Sequence, residues 1–433
     1  MTRVNAAEKI KHLLTRNVEQ VIDRAHLEKA LVSGLSTGFK TGKKLRVKLG
    51  IDPTGGNVHV GQKVVPSGNI HVGRAVTLWK LKEFQDLGHT VVFIIGDFTA
   101  QIGDPSDKLQ KRPFLTAAQV EKNLRNYLPQ IGKIIDLKKA EIHYNSKWLS
   151  KLNLRETAEL AETFSVNQML RRHNFRERWG KGEEISVREF LYPVMQGYDS
   201  VMVKADVELG GTDQLFNLMA GREIQKHYGQ EPQDIMTTKM LLGTDGRKMS
   251  TSWGNVINIF DSADEQFGKV MSLRDELIPD YFRMATLLPE KEITAQEKAL
   301  KSRANPKDIK LILAKEIVAL YHGKATAEKA AEKFNILHPP TLKINSHENV
   351  SVTAAVKLNV ELPELRIKQK EIFLLDLVLL SGASKSKSEA RRLILQGAVS
   401  VDDQIKKIPS EILALRGGET IKIGKKNFFR VKV

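Results

Sequence analysis

Residues 246–255 read GRKMSTSWGN, a polar loop that sets two adjacent cations, Arg247 and Lys248, beside hydroxyls at Ser250, Thr251 and Ser252. Transfer chemistry at a triphosphate asks a protein for positioned positive charge and hydrogen-bond donors more than for covalent chemistry. Such a loop can clamp a triphosphate; taken alone it reads more readily as a solvated basic turn. A second phrase occurs upstream in two copies, PTGGNVHVG at 53–61 and PSGNIHVG at 66–73, with His59 and His71 twelve residues apart. Its glycines let a ligand meet the backbone, and its histidine can donate to a phosphate oxygen where a helix begins. Together the two phrases favour a nucleotide site over two unrelated turns. Further on, Tyr192, Gln196 and Asp199 are spaced i, i+4, i+7, which puts all three on one face of a helix able to line a pocket.

The residues directly after each copy of the phrase decide which one opens a lasting helix. After Gly61, residues 62–65 run straight into Pro66, which stops a helix after its first turn. After Gly73 the sequence RAVTLWKLKEFQDLG carries Ala75, Leu78, Leu81 and Phe84 along one stripe as far as Gly88. The helix start is therefore expected at His71, and the extra twelve residues are expected as a surface loop between strand and helix.

These residues need a frame to hold them. Residues 45–51 and 90–95 read as buried strands on either side of a helix at 74–87, a βαβ unit whose ligands bind at the carboxyl edge of the sheet. Segment 115–185 is highly charged and helical in pattern, over 117–128 and 154–172, and reads as an excursion from the sheet and a candidate dimer surface. Residues 1–261 thus form a nucleotide-binding domain with an insertion at about 115–185, and 262–338 a separate helical domain ending at Pro339-Pro340. A linker is expected over 339–370. Residues 371–433 form a small basic α+β module, with twelve Lys and Arg against seven Asp and Glu.

The chain has 433 residues, 41% of them hydrophobic, too many for one ordinary core. The absence of cysteine excludes disulfides and thiolate metal sites. The first thirty residues have no apolar core of a signal peptide, and no stretch approaches a membrane span. A cytoplasmic protein is the expectation. The formal charge of +17 suits a polyanionic partner such as nucleic acid, and suits plain solubility as well.

With both phrases in place, the chain resembles the class I aminoacyl-tRNA synthetases, whose signatures are a HIGH-like turn and a KMSKS-like loop. The stretches IGDPSDK (102–108), EFLYPVMQGYDS (189–200), VELGGTDQLFN (207–217) and KMSTSWGN (248–255) are similar, in order and spacing, to the bacterial-type tyrosyl branch. SKSEARRLILQGAVSVD (386–402) is similar to the S4 RNA-binding domain. The resemblance implies a Rossmann-like α/β catalytic domain with a helical insertion, a helical tRNA-binding domain and an S4-like module. It implies a homodimer that uses ATP, accompanied by Mg²⁺, to join L-tyrosine to tRNA(Tyr), with no metal held by the protein itself.

The same resemblance assigns roles. Asp104, Tyr192 and Gln196 hold the amino acid's ammonium end, Asp199 accepts its phenol, Thr99 lies near the ring, and Gln214 and Gly50 are further contacts to the tyrosine. Asp52, Thr54, Gly73, Gly210, Gly211 and Asp213 meet ATP, and Lys108 and Arg112 its pyrophosphate. His71, Arg74, Arg247, Lys248, Ser250 and Ser252 are the catalytic set; Lys385, Lys387, Arg391 and Arg392 face RNA. His71 precedes Asp104 by 33 residues, as the family spacing requires, whereas His59 precedes it by 45. The sequence departs from the pattern at Thr251, where a second lysine is usual, and at Lys48, where some members carry a tyrosine that touches the phenol. It departs again at Gln62 and Arg74, which replace the last histidine of HIGH. A tryptophanyl enzyme, a non-catalytic RNA-binding descendant and another nucleotidyl transferase are the rival readings.

Overall fold

The computed structural model describes residues 3–36, 43–53, 57–60, 63–66, 69–104, 115–250, 253–302, 304–338, 363–367, 371–384, 386–402, 404–424 and 427–433. They fall into two compact units, 1–328 and 329–433.

The first unit is built from strands β1 (Val18–Ile22), β2 (Arg46–Ile51), β3 (Asn57–Val60), β4 (Lys63–Pro66), β5 (Thr90–Ile95), β6 (Ala140–Tyr144), β7 (Val207–Gly211) and β8 (Asp234–Thr238). Six of them make a sheet in the order β1-β8-β7-β2-β5-β6, parallel except for β1 at one edge. The chain moves outward from β2 through β5 to β6, then resumes on the other side of β2 at β7. Strand order therefore reverses between β2 and β7, and open α/β sheets bind ligands beyond the carboxyl ends of their strands at such a point. Strand β5 is an apolar run, TVVFII, as burial on both faces requires. The helix Val72–Asp86 buries Val72, Ala75, Leu78, Leu81 and Phe84, the expected stripe, and Gly88 at φ 93° turns the chain into β5.

Four expectations are corrected. Segment 115–185 is not wholly an excursion, because β6 within it is the sheet's edge strand. Its AEIHY carries charge since Glu141 takes a bidentate pair from Arg46 of β2 at 2.7 Å and a bond from His143 at 3.1 Å. The twelve extra residues include a hairpin, β3 against β4, because VHV and KVVP are β-branched runs. The helices of 262–328 are no separate domain. Trp79 donates to Tyr321 Oη at 3.2 Å, and Arg16 donates to the Leu288 and Thr286 carbonyls at 2.7 Å, fastening them to the catalytic body. Finally, the C-terminal module begins before residue 371.

That module's first strand, β9 (Glu364–Arg366), lies in what read as linker, because its three residues carry no periodicity of their own. It pairs in parallel with the last strand of the chain. With β10 (Glu371–Phe373), β11 (Val399–Val401), β12 (Gln404–Lys406), β13 (Ile412–Ala414), β14 (Thr420–Ile423) and β15 (Asn427–Lys432), it forms sheets ordered β12-β11-β14-β15-β9 and β10-β13. Helices Leu374–Leu380 and Lys387–Leu395 close the core with Leu374, Leu377, Ala390 and Ile394.

Candidate active site

Beyond the carboxyl ends of β2 and β7 lies a cavity of about 280 Å³, and most of the expected site residues line it. The two phrases meet there. Val72 N–H donates to the Ile257 carbonyl at 2.8 Å, and Ile259 N–H to that of Ile70 at 3.0 Å, so the segment after the lysine loop is stitched to the histidine turn. His71 is the N-cap of the helix Val72–Asp86: its Nδ1 accepts the Arg74 N–H at 3.2 Å. An accepting Nδ1 leaves the ring proton on Nε2, free to be offered to an anion. Burial, reinforced by Arg74 and Lys248, pushes the imidazole down to about 3, so it stays neutral. A Cβ on Gly73 would lie 2.9 Å from Met249 Sδ and 3.1 Å from His71 Nδ1; glycine is needed for packing as well as ligand approach.

A continuous network forms one wall. Trp148 Nε1 donates to Asp199 Oδ1 at 2.7 Å and Asn145 Nδ2 to Asp199 Oδ2 at 3.2 Å. The same Asn145 amide donates to Thr99 Oγ1 at 3.0 Å, Thr99 to Asp52 Oδ1 at 2.7 Å, and Tyr192 Oη to Asp52 Oδ2 at 2.8 Å. Asp199 is 3% exposed, and burial pushes it up to about 6 against the pull of Lys48, Trp148 and Asn145. Asp52 is pushed up to about 7 by burial, with Thr99 and Tyr192 opposing. Tyr192 is raised well above its ordinary value, again by burial, so its hydroxyl keeps its proton and donates. The helix Val187–Val203 brings Tyr192, Gln196 and Asp199 onto the wall as their spacing requires, opened by a Ser186–Glu189 capping box.

Asp104 faces this wall. Gln214 donates to its Oδ2 at 2.8 Å, and Arg172, itself 6% exposed, reaches its Oδ1 at 3.4 Å. Gly210 and Gly211 end β7 at the cavity, and Gly50, the last residue but one of β2, lies beside it. Lys248 Nζ lies 3.4 Å from Asp213 Oδ2 at the same opening.

Some expected residues are not brought together. Arg247 does not line the cavity: its guanidinium is paired with Asp245 at 2.5 Å and lies over the Trp253 ring at 4.8 Å. Ser250 does not line the cavity either; its N–H caps onto Asn255 Oδ1 at 2.8 Å. Asp52 and Gln196 do line the cavity, Asp52 bonded to Tyr192 and Thr99, and Gln196 donating to Glu208 at 3.2 Å. Thr54, Lys108, Arg112, Thr251, Ser252 and Lys385 lie outside the described residues. In the C-terminal unit, Lys387, Arg391 and Arg392 share the exposed side of their helix.

Asn145, Trp148, Arg172 and Gly96 were not foreseen. Asn145 and Trp148 come just after the overlooked strand β6, where a polar-aromatic cluster at a strand's carboxyl end is a readable signal. Gly96 has no room for a Cβ beside Asp52 and Thr99. Arg172 sits in a charged helical run, and nothing local marks it.

The sequence pattern of the class I tRNA synthetases (W and Y) matches residues 63–338, and that of the S4 domain residues 374–421. A tyrosine–tRNA ligase of Thermotoga maritima is 42% identical over 426 residues, 98% of this chain and 97% of that protein. One of Moorella thermoacetica is 42% identical over 97% of this chain and 94% of its own length. Among solved structures, a C-terminally truncated mitochondrial tyrosyl-tRNA synthetase of Aspergillus nidulans matches with a TM-score of 0.61 at 22% identity, covering 77% of this chain and 97% of that one. The tyrosyl-tRNA synthetase of Archaeoglobus fulgidus, solved with L-tyrosine, matches at 0.57 and 22%, over 75% of this chain and 99% of that one. The order-reversing sheet, the joined histidine and lysine phrases and these full-length relatives agree: the chain belongs to the class I tRNA synthetases of the W and Y group, with tyrosine–tRNA ligases as its relatives.

Proposed function

We propose that the protein activates L-tyrosine with ATP and passes the tyrosyl group to the 3′-terminal adenosine of tRNA(Tyr). The observation that carries tyrosine is Asp199, a buried carboxylate on the cavity wall held by two donors, with lone pairs left for a phenolic hydroxyl. In the first step a tyrosine carboxylate oxygen attacks the α-phosphorus of ATP. The new P–O bond forms as the bond to the β-phosphate breaks, and pyrophosphate leaves with the electron pair. No side-chain nucleophile is needed; the protein aligns the reactants and stabilises charge. Asp104, Tyr192, Gln196 and Gln214 hold the ammonium, Gly50 and Thr99 border the ring, and Gly73, Gly210, Gly211 and Asp213 meet the nucleotide. His71 offers Nε2–H to the phosphates, with Arg74 beside it.

Among the described residues no cluster of three or more His, Asp or Glu offers a protein cage for a metal. In this reading Mg²⁺ comes with ATP, held by its phosphates and by waters, which is how this ion is commonly bound. Leu154, Val166, Trp179 and Val187 are large, apolar and exposed on the insertion and the start of the next helix. Such a surface supports a homodimer. No helix among the described residues is long and apolar enough to cross a membrane; the cytoplasm is the proposed location.

The test is ATP–pyrophosphate exchange with tyrosine, tryptophan and phenylalanine offered separately; exchange driven by tryptophan in place of tyrosine overturns the reading. Lys248→Ala is expected to slow adenylate formation about 10²- to 10³-fold with tyrosine affinity nearly unchanged, because its charge matters as pyrophosphate leaves. Single-turnover kinetics with a tyrosine titration decide it, and an effect on tyrosine affinity alone removes the role. Removing residues 339–433 is expected to spare exchange while weakening tRNA charging and flattening its salt dependence, since a basic RNA module adds phosphate contacts. Charging that keeps the full chain's rate and salt slope would assign the tail another task.

A further inference from the structure

We propose that Lys48 and Glu208, a buried ion pair beneath the cavity, are positioning residues that fix the turn of helix carrying Gln196 and Asp199 and so set the pocket's selectivity for a hydroxyl. This rests on the reading of Asp199 as the phenol acceptor.

Lys48 is 0% exposed and Glu208 1% exposed, and they sit opposite each other in the β2–β7 register, at the point where strand order reverses. Their charges are 2.9 Å apart. Buried charges are tolerated only with full hydrogen bonding, and here the partners come from the pocket helix. Lys48 Nζ donates to the Gln196 carbonyl at 2.9 Å and to Ser200 Oγ at 2.8 Å. Glu208 accepts from Gln196 Nε2 at 3.2 Å, from Ser200 Oγ at 3.2 Å and from Gln233 Nε2. Gln196 and Ser200 bracket Asp199, so the pair grips the helix on both sides of it.

The groups facing Asp199 are few. Asn145 and Trp148 donate to it from beyond β6, with His143 of β6 packed on the Trp148 ring at 6.1 Å. Asp52, after β2, and Tyr192, on its own helix, share its network through Asn145 and Thr99. Glu208 on β7 also raises it, leaving Lys48 as the cation that favours its ionised, accepting form.

The test compares three forms of the full chain: wild type, Asp199→Asn, and the double variant Lys48→Met/Glu208→Gln. Removing both charges together avoids stranding one of them, and the Gln keeps an acceptor for Gln196. The double variant is expected to melt near the wild-type temperature, with KM for tyrosine raised about tenfold or more and kcat little changed. Its preference for tyrosine over phenylalanine should fall by a similar factor. The acid limb of kcat/KM should move to higher pH, because Asp199 is active ionised and loses its favouring cation. A folded double variant with wild-type KM, preference and acid limb overturns the proposal. So does a loss shared equally by tyrosine and phenylalanine with an unmoved limb, which marks a merely structural pair. If the double variant does not fold, Lys48→Arg and Glu208→Asp take its place. They keep both charges but shift them, and an unchanged tyrosine-to-phenylalanine ratio in both overturns the proposal equally. Asp199→Asn separates the two readings: if it retains discrimination, the phenol assignment fails first.

Discussion

Asp199→Asn is expected to lower kcat/KM for tyrosine about 10³-fold and to cut discrimination against phenylalanine from roughly 10⁴–10⁵ to below about 10². The size comes from burial. A hydrogen bond to an ionised group contributes about 1.5–3 kcal/mol, and a buried polar partner left unmatched costs about 1–3 kcal/mol more. Asparagine keeps the side chain's shape and an oxygen for Trp148, which donates at 2.7 Å, so the variant should fold. Alanine strands the Trp148 and Asn145 donors, and its loss of activity would be mixed with loss of stability. In the wild type, kcat/KM for tyrosine should fall as pH drops through about 6, where Asp199 takes up a proton and ceases to be an acceptor only. Asp52, raised to about 7, shares its network through Asn145 and Thr99, so the wild-type acid limb spans about 6 to 7 and the part that survives in Asp199→Asn belongs to Asp52. A variant that rejects phenylalanine as strongly as the wild type would remove Asp199 from hydroxyl recognition. The measurement is exchange with both amino acids across a pH series.

The residues of this site were readable where local chemistry and position coincide. Strand β5 and the helix Val72–Asp86 stand close to where their apolar runs and Gly88 put them, and the i, i+4, i+7 set reached one wall. Strand β6 was hidden because an edge strand with a salt bridge to β2 looks, in one dimension, like charged helix surface. With β6 went Asn145 and Trp148, and with them the donors that hold Asp199. Arg247 misled for the opposite reason. A cation beside Lys248 reads as a second phosphate ligand, yet Asp245 two residues earlier and Trp253 claim it first. Lys48 read as the loss of a phenol contact; its buried partner Glu208 is 160 residues away in sequence, and only strand order brings them together. The domain boundaries failed in the same way, since a three-residue strand such as β9 has no period to detect.

The doubled histidine turn carries the other large effect. His71→Ala is expected to slow adenylate formation about 10²- to 10³-fold, the usual cost of losing one donor at the reacting phosphates, whereas His59→Ala should change it less than about twofold. His71 caps the helix whose N-terminus faces the cavity, and its accepting Nδ1 fixes the proton on Nε2. His59 lies in β3, opposite Val64, with no helix behind it. Because His71 is held at about 3, the neutral donor persists over the working range, and the ratio between variant and wild type should not vary from about pH 6 to 8. Loss of an N-cap by itself costs roughly 0.5–2 kcal/mol of stability, so His71→Asn serves as the control. Asparagine caps well, and it should restore the melting temperature but little of the rate. Excising residues 57–68 gives a third arm. It removes both strands of the hairpin and joins Gly56 to Asn69, so the sequence becomes PTGGNIHVG, one copy of the phrase with His71 in it. That shortened chain should remain active. An inactive His59→Ala beside an active His71→Ala would reverse the assignment. An inactive excision with both histidine results as expected would give the hairpin a part of its own in the reaction.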